Sequence, residues 1–196
     1  MSTGWTGRGW FDPPSPEGGS AGRSSGRAPD GEPAAPPDPV EAAHAAALRL
    51  LTVRAHSRAE VEQRLRRRGF DPEPVAQALD RLERAGLLDD AAFAAELAAS
   101  RTRRGYAANM VQRDLRTRGV DRDVADRAAA AASPPDAEAE RCHTLAADWL
   151  ERHAGLEATV AARRLAGFLA RRGYPPSLVA DAVRQALGRD QSGAPD

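Results

Sequence analysis

One four-residue pattern occurs three times in this chain of 196 residues and constrains what the rest of it can build. Arg68-Gly69-Phe70-Asp71 lies over Arg118-Gly119-Val120-Asp121 and over Arg172-Gly173-Tyr174-Pro175, at offsets of 50 and then 54 residues. With those offsets Val61, Val111 and Leu165 coincide, as do Leu65, Leu115 and Leu169 four residues on. Past the glycine, Val75, Ala125 and Val179 align, followed by Ala78, Ala128 and Ala182. Apolar residues spaced i and i+4 on both sides of a shared glycine spell one helix-turn-helix pair written three times.

A further helix precedes each pair, over about 39–54, 90–103 and 136–153. Asp38-Pro39-Val40-Glu41 opens the first with a capping aspartate, a first-turn proline and a glutamate at the third helical position. Ser57-Arg58-Ala59-Glu60 has the form of a capping box, Asp71-Pro72 opens another helix, and Gly69 and Gly86 stand where C′ glycines belong. The chain therefore reads as all-α: three tandem three-helix, helix-turn-helix-like repeats in an elongated, curved arrangement, each burying its apolar stripe against its neighbours. A compact nine-helix globule is the alternative for the same pattern. The repeats are placed at residues 38–88, 89–133 and 134–190, between a disordered Gly/Pro/Ser-rich tail at 1–37 and a short disordered end at 191–196. Trp5, Trp10 and Phe11 stand out in that tail, as a docking motif or as scattered aromatics. In unit two Ala128 to Ala132 brings helix propensity but little to bury, so flexing is expected where Ser133-Pro134-Pro135 leads into unit three.

Several chemistries lack their residues. All 28 basic residues are arginine, so neither a P-loop lysine nor a Schiff-base amine is available. Cys142 is the only cysteine, which excludes an intramolecular disulfide and a thiolate metal cage; beside His143 on a helix it points about 100° away. His44, His56, His143 and His153 have no metal-binding helical spacing, and Asp89-Asp90 suits a helix start. No catalytic, cofactor or metal site is expected, and the chain reads as non-enzymatic. Residues 1–10 lack a basic stretch followed by an apolar one, and no apolar run of about 18 residues follows, so a cytoplasmic protein without membrane contact is expected.

Charge is uneven along a chain whose net charge is zero: residues 91–132 hold eight arginines against five acids, the other segments being balanced or slightly acidic. Arg101, Arg103 and Arg104 end the first helix of unit two, while Arg113, Arg116 and Arg118 lie along the second; Arg64, Arg67 and Arg68 repeat the latter arrangement in unit one. Arginine forks suit phosphate and carboxylate, which makes these nine the candidate partner-binding residues. Two plainer readings of the same arginines stand beside this one: a GC-rich genome, and solvated helix faces with pairs such as Glu60–Arg64. Interspersed charge of both signs suits a protein partner, one already carrying nucleic acid included, better than bare DNA.

His56-Ser57-Arg58-Ala59-Glu60-Val61, Arg68-Gly69-Phe70-Asp71, Leu79-Asp80-Arg81-Leu82, Gly86-Leu87-Leu88-Asp89-Asp90, Phe93-Ala94, Gly105 and Arg118-Gly119-Val120-Asp121 together resemble the bacterial RecX family over residues 40–190. The resemblance implies a monomeric, non-enzymatic regulator of DNA repair and the SOS response. Such a protein binds in the groove of the RecA filament on single-stranded DNA, inhibits ATP hydrolysis and strand exchange, and can touch single- or double-stranded DNA. A helical module acting on nucleic acid directly is the alternative function, and an adaptor without nucleic acid a third. The chain departs from the family in its long tail and its lack of lysine. In unit three Tyr174-Pro175-Pro176 replaces the aspartate cap, and Gly167 is expected to interrupt the middle helix.

Overall fold

The computed structural model describes residues 38–192, with side chains described as far as Gly188. The tail, with Trp5, Trp10 and Phe11, and residues 193–196 lie outside the described residues. Among the described residues there are nine helices and no strands: α1 (Pro39–Leu51), α2 (Arg58–Arg67), α3 (Pro72–Arg84), α4 (Asp90–Arg103), α5 (Ala108–Thr117), α6 (Arg122–Ala132), α7 (Pro135–Glu151), α8 (Ala158–Arg171) and α9 (Pro176–Ser192). They form three successive three-helix units, in each of which the first helix packs along the third and the second lies against the third.

The repeat positions are the core. Val61, Leu65, Val75, Ala78 and Leu79 are fully buried in unit one, Val111, Leu115 and Ala125 are buried in unit two, and Leu165, Leu169, Val179 and Ala182 are buried in unit three. Ala128 is only half-buried, and Ala129 takes the inward place, since alanines on a short helix can be turned inward at little cost. Gly167 does not interrupt α8: the helix runs through it, one glycine costing a helix only about 1 kcal/mol when its flanks pack. Cys142 is fully buried.

The caps follow the sequence in part. Asp38 Oδ1 accepts the Val40 N–H at 2.9 Å and Ser57 Oγ accepts that of Glu60 at 3.1 Å. Asp71 makes no side-chain cap bond. The capping box at Ser57 is half-formed, because Glu60 turns away from Ser57 N toward Arg118.

Consecutive units are joined by the same contacts at both joints. The residue opening the second helix of one unit donates to the carbonyl of the arginine that closes the second helix of the next. Ser57 Oγ bonds Arg118 O at 2.5 Å, and Ala107 N bonds Arg172 O at 3.0 Å. A carboxylate from the following unit takes the next backbone donor: Arg58 N–H to Asp90 Oδ1 at 2.7 Å, Ala108 N–H to Glu138 Oε2 at 2.9 Å. These are N-terminal helix donors, which have no partner inside their own helix. The turn glycine of the later unit then lies on the same helical turn. A Cβ on Gly119 would collide with Ala59 Cβ, and one on Gly173 with Asn109 Oδ1 and, at 2.8 Å, with Met110 Cβ.

What surrounds these shared contacts differs. At the second joint Ala107 belongs to the apolar cluster of unit three, and the Arg172 guanidinium lies 5.4 Å over Tyr106 and 4.5 Å over Phe168. Ser133, Glu138 and Arg141 add a polar cluster there, Ser133 Oγ donating to Glu138 at 3.0 Å. At the first joint the clusters of units one and two share no residue, and charges fill the contact. The joint leading into unit three, where flexing is expected from the alanine run, is thus the more apolar of the two.

Candidate functional site

The first joint is crossed by an alternating row of charges. Arg54 lies 3.3 Å from Glu60, Glu60 2.8 Å from Arg118, Arg118 3.0 Å from Asp114, and Asp114 2.6 Å from Arg101. The row exists because α2 offers an acid one turn from its start, while the last turn of α5 points an arginine back at it. Burial alone would lower the Arg118 pKa, but the Asp114 and Glu60 carboxylates outweigh it and hold the guanidinium above its ordinary value. Arg58 is held up in the same way by Asp80 at 2.7 Å and Glu83 at 2.5 Å, against the burial that would lower it.

His56 is buried beside this row. Its Nδ1 bonds Arg54 O at 2.8 Å, and Nε2 faces Arg64, which can only donate, so the ring is neutral with its proton on Nδ1. Burial pushes its pKa below the ordinary value, and Arg54 and Arg64 press the same way.

Above the row lies an open cleft of about 820 Å³, with Glu62, Gln63, Arg66 and Arg67 of α2 on one wall and Asp114, Thr117 and Arg118 on the other. Its floor is the Ala59–Gly119 contact. A smaller recess of about 310 Å³ on the adjoining face of α5 is lined by Arg101, Tyr106, Met110 and Arg113. Both carry charge of both signs.

The nine nominated arginines divide into two groups. Arg64, Arg101, Arg116 and Arg118 have side-chain partners: His56, Asp114, Asp126 at 2.5 Å, and Glu60 with Asp114. Arg67, Arg68, Arg103, Arg104 and Arg113 are exposed and have no side-chain partner among the described residues. Arg67 lies at the cleft of the joint and Arg113 at the recess within unit two, and the two hollows share Asp114 and Thr117. Arg113 and Arg116, which lie along the same helix, differ: the first is free and the second is held by Asp126. The residues that sequence reasoning missed are the acids of the joints, Glu60, Asp90 and Glu138. A signal for one was present, since Asp89 alone caps α4, accepting the N–H groups of Ala91 and Ala92 and leaving Asp90 available for another helix.

Among the described residues no group of three or more His, Cys, Asp or Glu is placed to hold a metal ion, and no helix is long and apolar enough to cross a membrane. Burial raises the Cys142 thiol to about 11 and the Tyr174 hydroxyl to about 12, which keeps both protonated near neutrality.

Comparison with known proteins agrees with this architecture. Residues 43–82 match the family model of the first three-helix domain of RecX, and residues 89–128 that of the second. The regulatory protein RecX of Streptomyces coelicolor is 42% identical over 175 residues, covering 89% of this chain and 91% of the relative. That of Mycolicibacterium smegmatis is 41% identical over 170 residues, covering 83% and 89%. The crystal structure of RecX from Lactobacillus salivarius superposes with a TM-score of 0.66 at 18% identity, over 76% of this chain and 97% of that one, and so shares the fold. With 42% identity across nearly the whole of a relative, and both matched domains lying on units one and two of the repeat, the chain belongs to the RecX family of regulatory proteins.

Proposed function

We propose that this protein is a non-enzymatic, monomeric, cytoplasmic regulator of homologous recombination and the SOS response. It binds the RecA filament on single-stranded DNA and inhibits ATP hydrolysis and strand exchange. The observation that carries the reading is the cleft at the first joint, where locked charges of both signs lie beside the free guanidinium group of Arg67, with that of Arg113 at the adjoining recess of unit two. A filament presents acidic protein surface and DNA phosphate together. Free arginine forks pair with either, while Glu60, Glu62 and Asp114 disfavour a bare polyanion. Family membership points to the same class of target. Seated along the filament groove, the chain obstructs the path by which duplex DNA enters.

Direct binding of nucleic acid is the second reading, favoured by the five exposed and unpaired arginines. The test of the first is DNA-dependent ATP hydrolysis by RecA with substoichiometric amounts of the full-length chain. Hydrolysis is expected to fall, and unchanged hydrolysis would overturn the proposal.

A further inference from the structure

The three arginine-glycine turns share one backbone. The closing arginines Arg68, Arg118 and Arg172 have φ/ψ of −88/3, −87/6 and −85/−5, and the glycines that follow have φ of +88, +76 and +91. In all three the next N–H returns to the helix, from Phe70 to Leu65 O, Val120 to Leu115 O and Tyr174 to Leu169 O. Two of the turns hold the start of a helix: Gly119 lies on Ala59 and Gly173 on Asn109 and Met110, with the arginine carbonyl accepting from the residue that opens that helix. The third is preformed and vacant. Among the described residues nothing lies within 4 Å of a Cβ built on Gly69, and no donor reaches Arg68 O.

The other end of the array is closed. The counterpart of the helix starts held at the two joints is the start of α8, which begins at Ala158, four residues earlier than the repeat requires. Glu157 caps it, accepting from Thr159 N at 3.0 Å and Val160 N at 3.1 Å. A second copy of this chain therefore has no free helix start of the right register to offer Gly69 head to tail.

We propose that the vacant Arg68–Gly69 turn is a docking surface for the N-terminus of a helix on a recombinase subunit, a proposal that rests on the filament-binding reading above. Its occupant has a donor at the residue opening the helix and lays the residue two positions on against the glycine, as Ser57 with Ala59 and Ala107 with Asn109 do at the joints. These contacts are uncharged, so they give register on the filament with little salt dependence, which remains with the exposed arginines.

Gly69→Asn fills the seat with the non-glycine residue that best accepts positive φ. Gly86→Asn is its control, since Gly86 has φ +67, is equally uncrowded and is remote from the turn in sequence. In the RecA ATPase assay the full-length Gly69→Asn chain is expected to need about tenfold more protein for half-inhibition, with unchanged salt dependence, and Gly86→Asn to match wild type. Equal inhibition by wild type and Gly69→Asn overturns the docking alone, as does an equal loss in both variants; no inhibition by wild type overturns the docking and the filament reading together. A photocrosslinker at Asp71, which is exposed and makes no cap bond, gives a positional readout. On a RecA filament assembled on single-stranded DNA its adduct is expected in the first turn of a recombinase helix. An adduct to DNA, to a helix interior, to residues 1–37 or to a second copy overturns the proposal, as does binding without any adduct.

Discussion

Ser57 donates its hydroxyl to the carbonyl of Arg118, 61 residues along the chain, at 2.5 Å, while the same oxygen accepts the N–H of Glu60 at 3.1 Å. One buried group thus starts a helix in unit one and fixes the end of a helix in unit two. Unit two does the first joint's work differently at the second, with Ala107 donating its backbone N–H to Arg172.

Ser57→Ala is expected to lower stability by about 1–2 kcal/mol, because it removes a cap and leaves the part-buried Arg118 carbonyl with one partner fewer. Urea unfolding followed by circular dichroism measures it. A loss below a few tenths of a kcal/mol would show that the joint does not depend on this hydroxyl.

Gly173→Ala and Gly69→Ala carry the same cost of positive φ, about 1–2 kcal/mol. Only at Gly173 does the new methyl meet another unit, at Asn109 and Met110. Gly173→Ala is therefore expected to lower the melting temperature clearly more than Gly69→Ala does. Equal shifts would mean that the second joint opens without affecting the folded units.

The folded pKa of His56 is depressed by burial, so the unfolded chain binds the proton more readily. Stability from the neutral ring is complete above its unfolded value of about 6.5 and is lost as pH falls from there toward the folded value. His56→Phe, which cannot titrate, should show a smaller drop in urea midpoint between pH 7 and pH 5 than wild type. An identical drop would assign the acid sensitivity to other groups.

Reversing Arg67 and Arg113 together, as Arg67→Glu with Arg113→Glu, breaks no ion pair among the described residues. The double variant should keep its helicity, weaken inhibition of RecA about tenfold and show a flatter dependence on salt. Normal inhibition would remove these two arginines from the contact. Arg116 is a poorer choice for this experiment, because reversing it also strands Asp126.

The helices were legible in the sequence wherever the cause is local. Val61 and Leu65, or Val111 and Leu115, follow from i, i+4 spacing, and Asp38 and Ser57 follow from short polar side chains before a helix. Legibility failed where the deciding partner lies far along the chain. Glu60 has the position of a capping-box acid, yet its carboxylate goes to Arg118, 58 residues away, where it makes a charge-assisted hydrogen bond across the joint. The same distance hides the division of the arginines. Arg113 and Arg118 stand on one short helix and look alike in sequence, but only Arg118 reaches Glu60 of unit one. Gly167 misleads for the opposite reason, since a helix packed on both flanks tolerates a residue that its local propensity disfavours.

Affinity for the filament compared with affinity for DNA alone tests the central claim most directly. With the full-length chain at an ionic strength of about 0.15 M, anisotropy of a labelled single-stranded oligonucleotide is followed bare and coated with RecA. Binding to the RecA-coated strand is expected to be at least about tenfold tighter than to the bare strand. Equal or tighter binding to the bare strand would contradict a filament as the target and make this a protein that acts on nucleic acid directly.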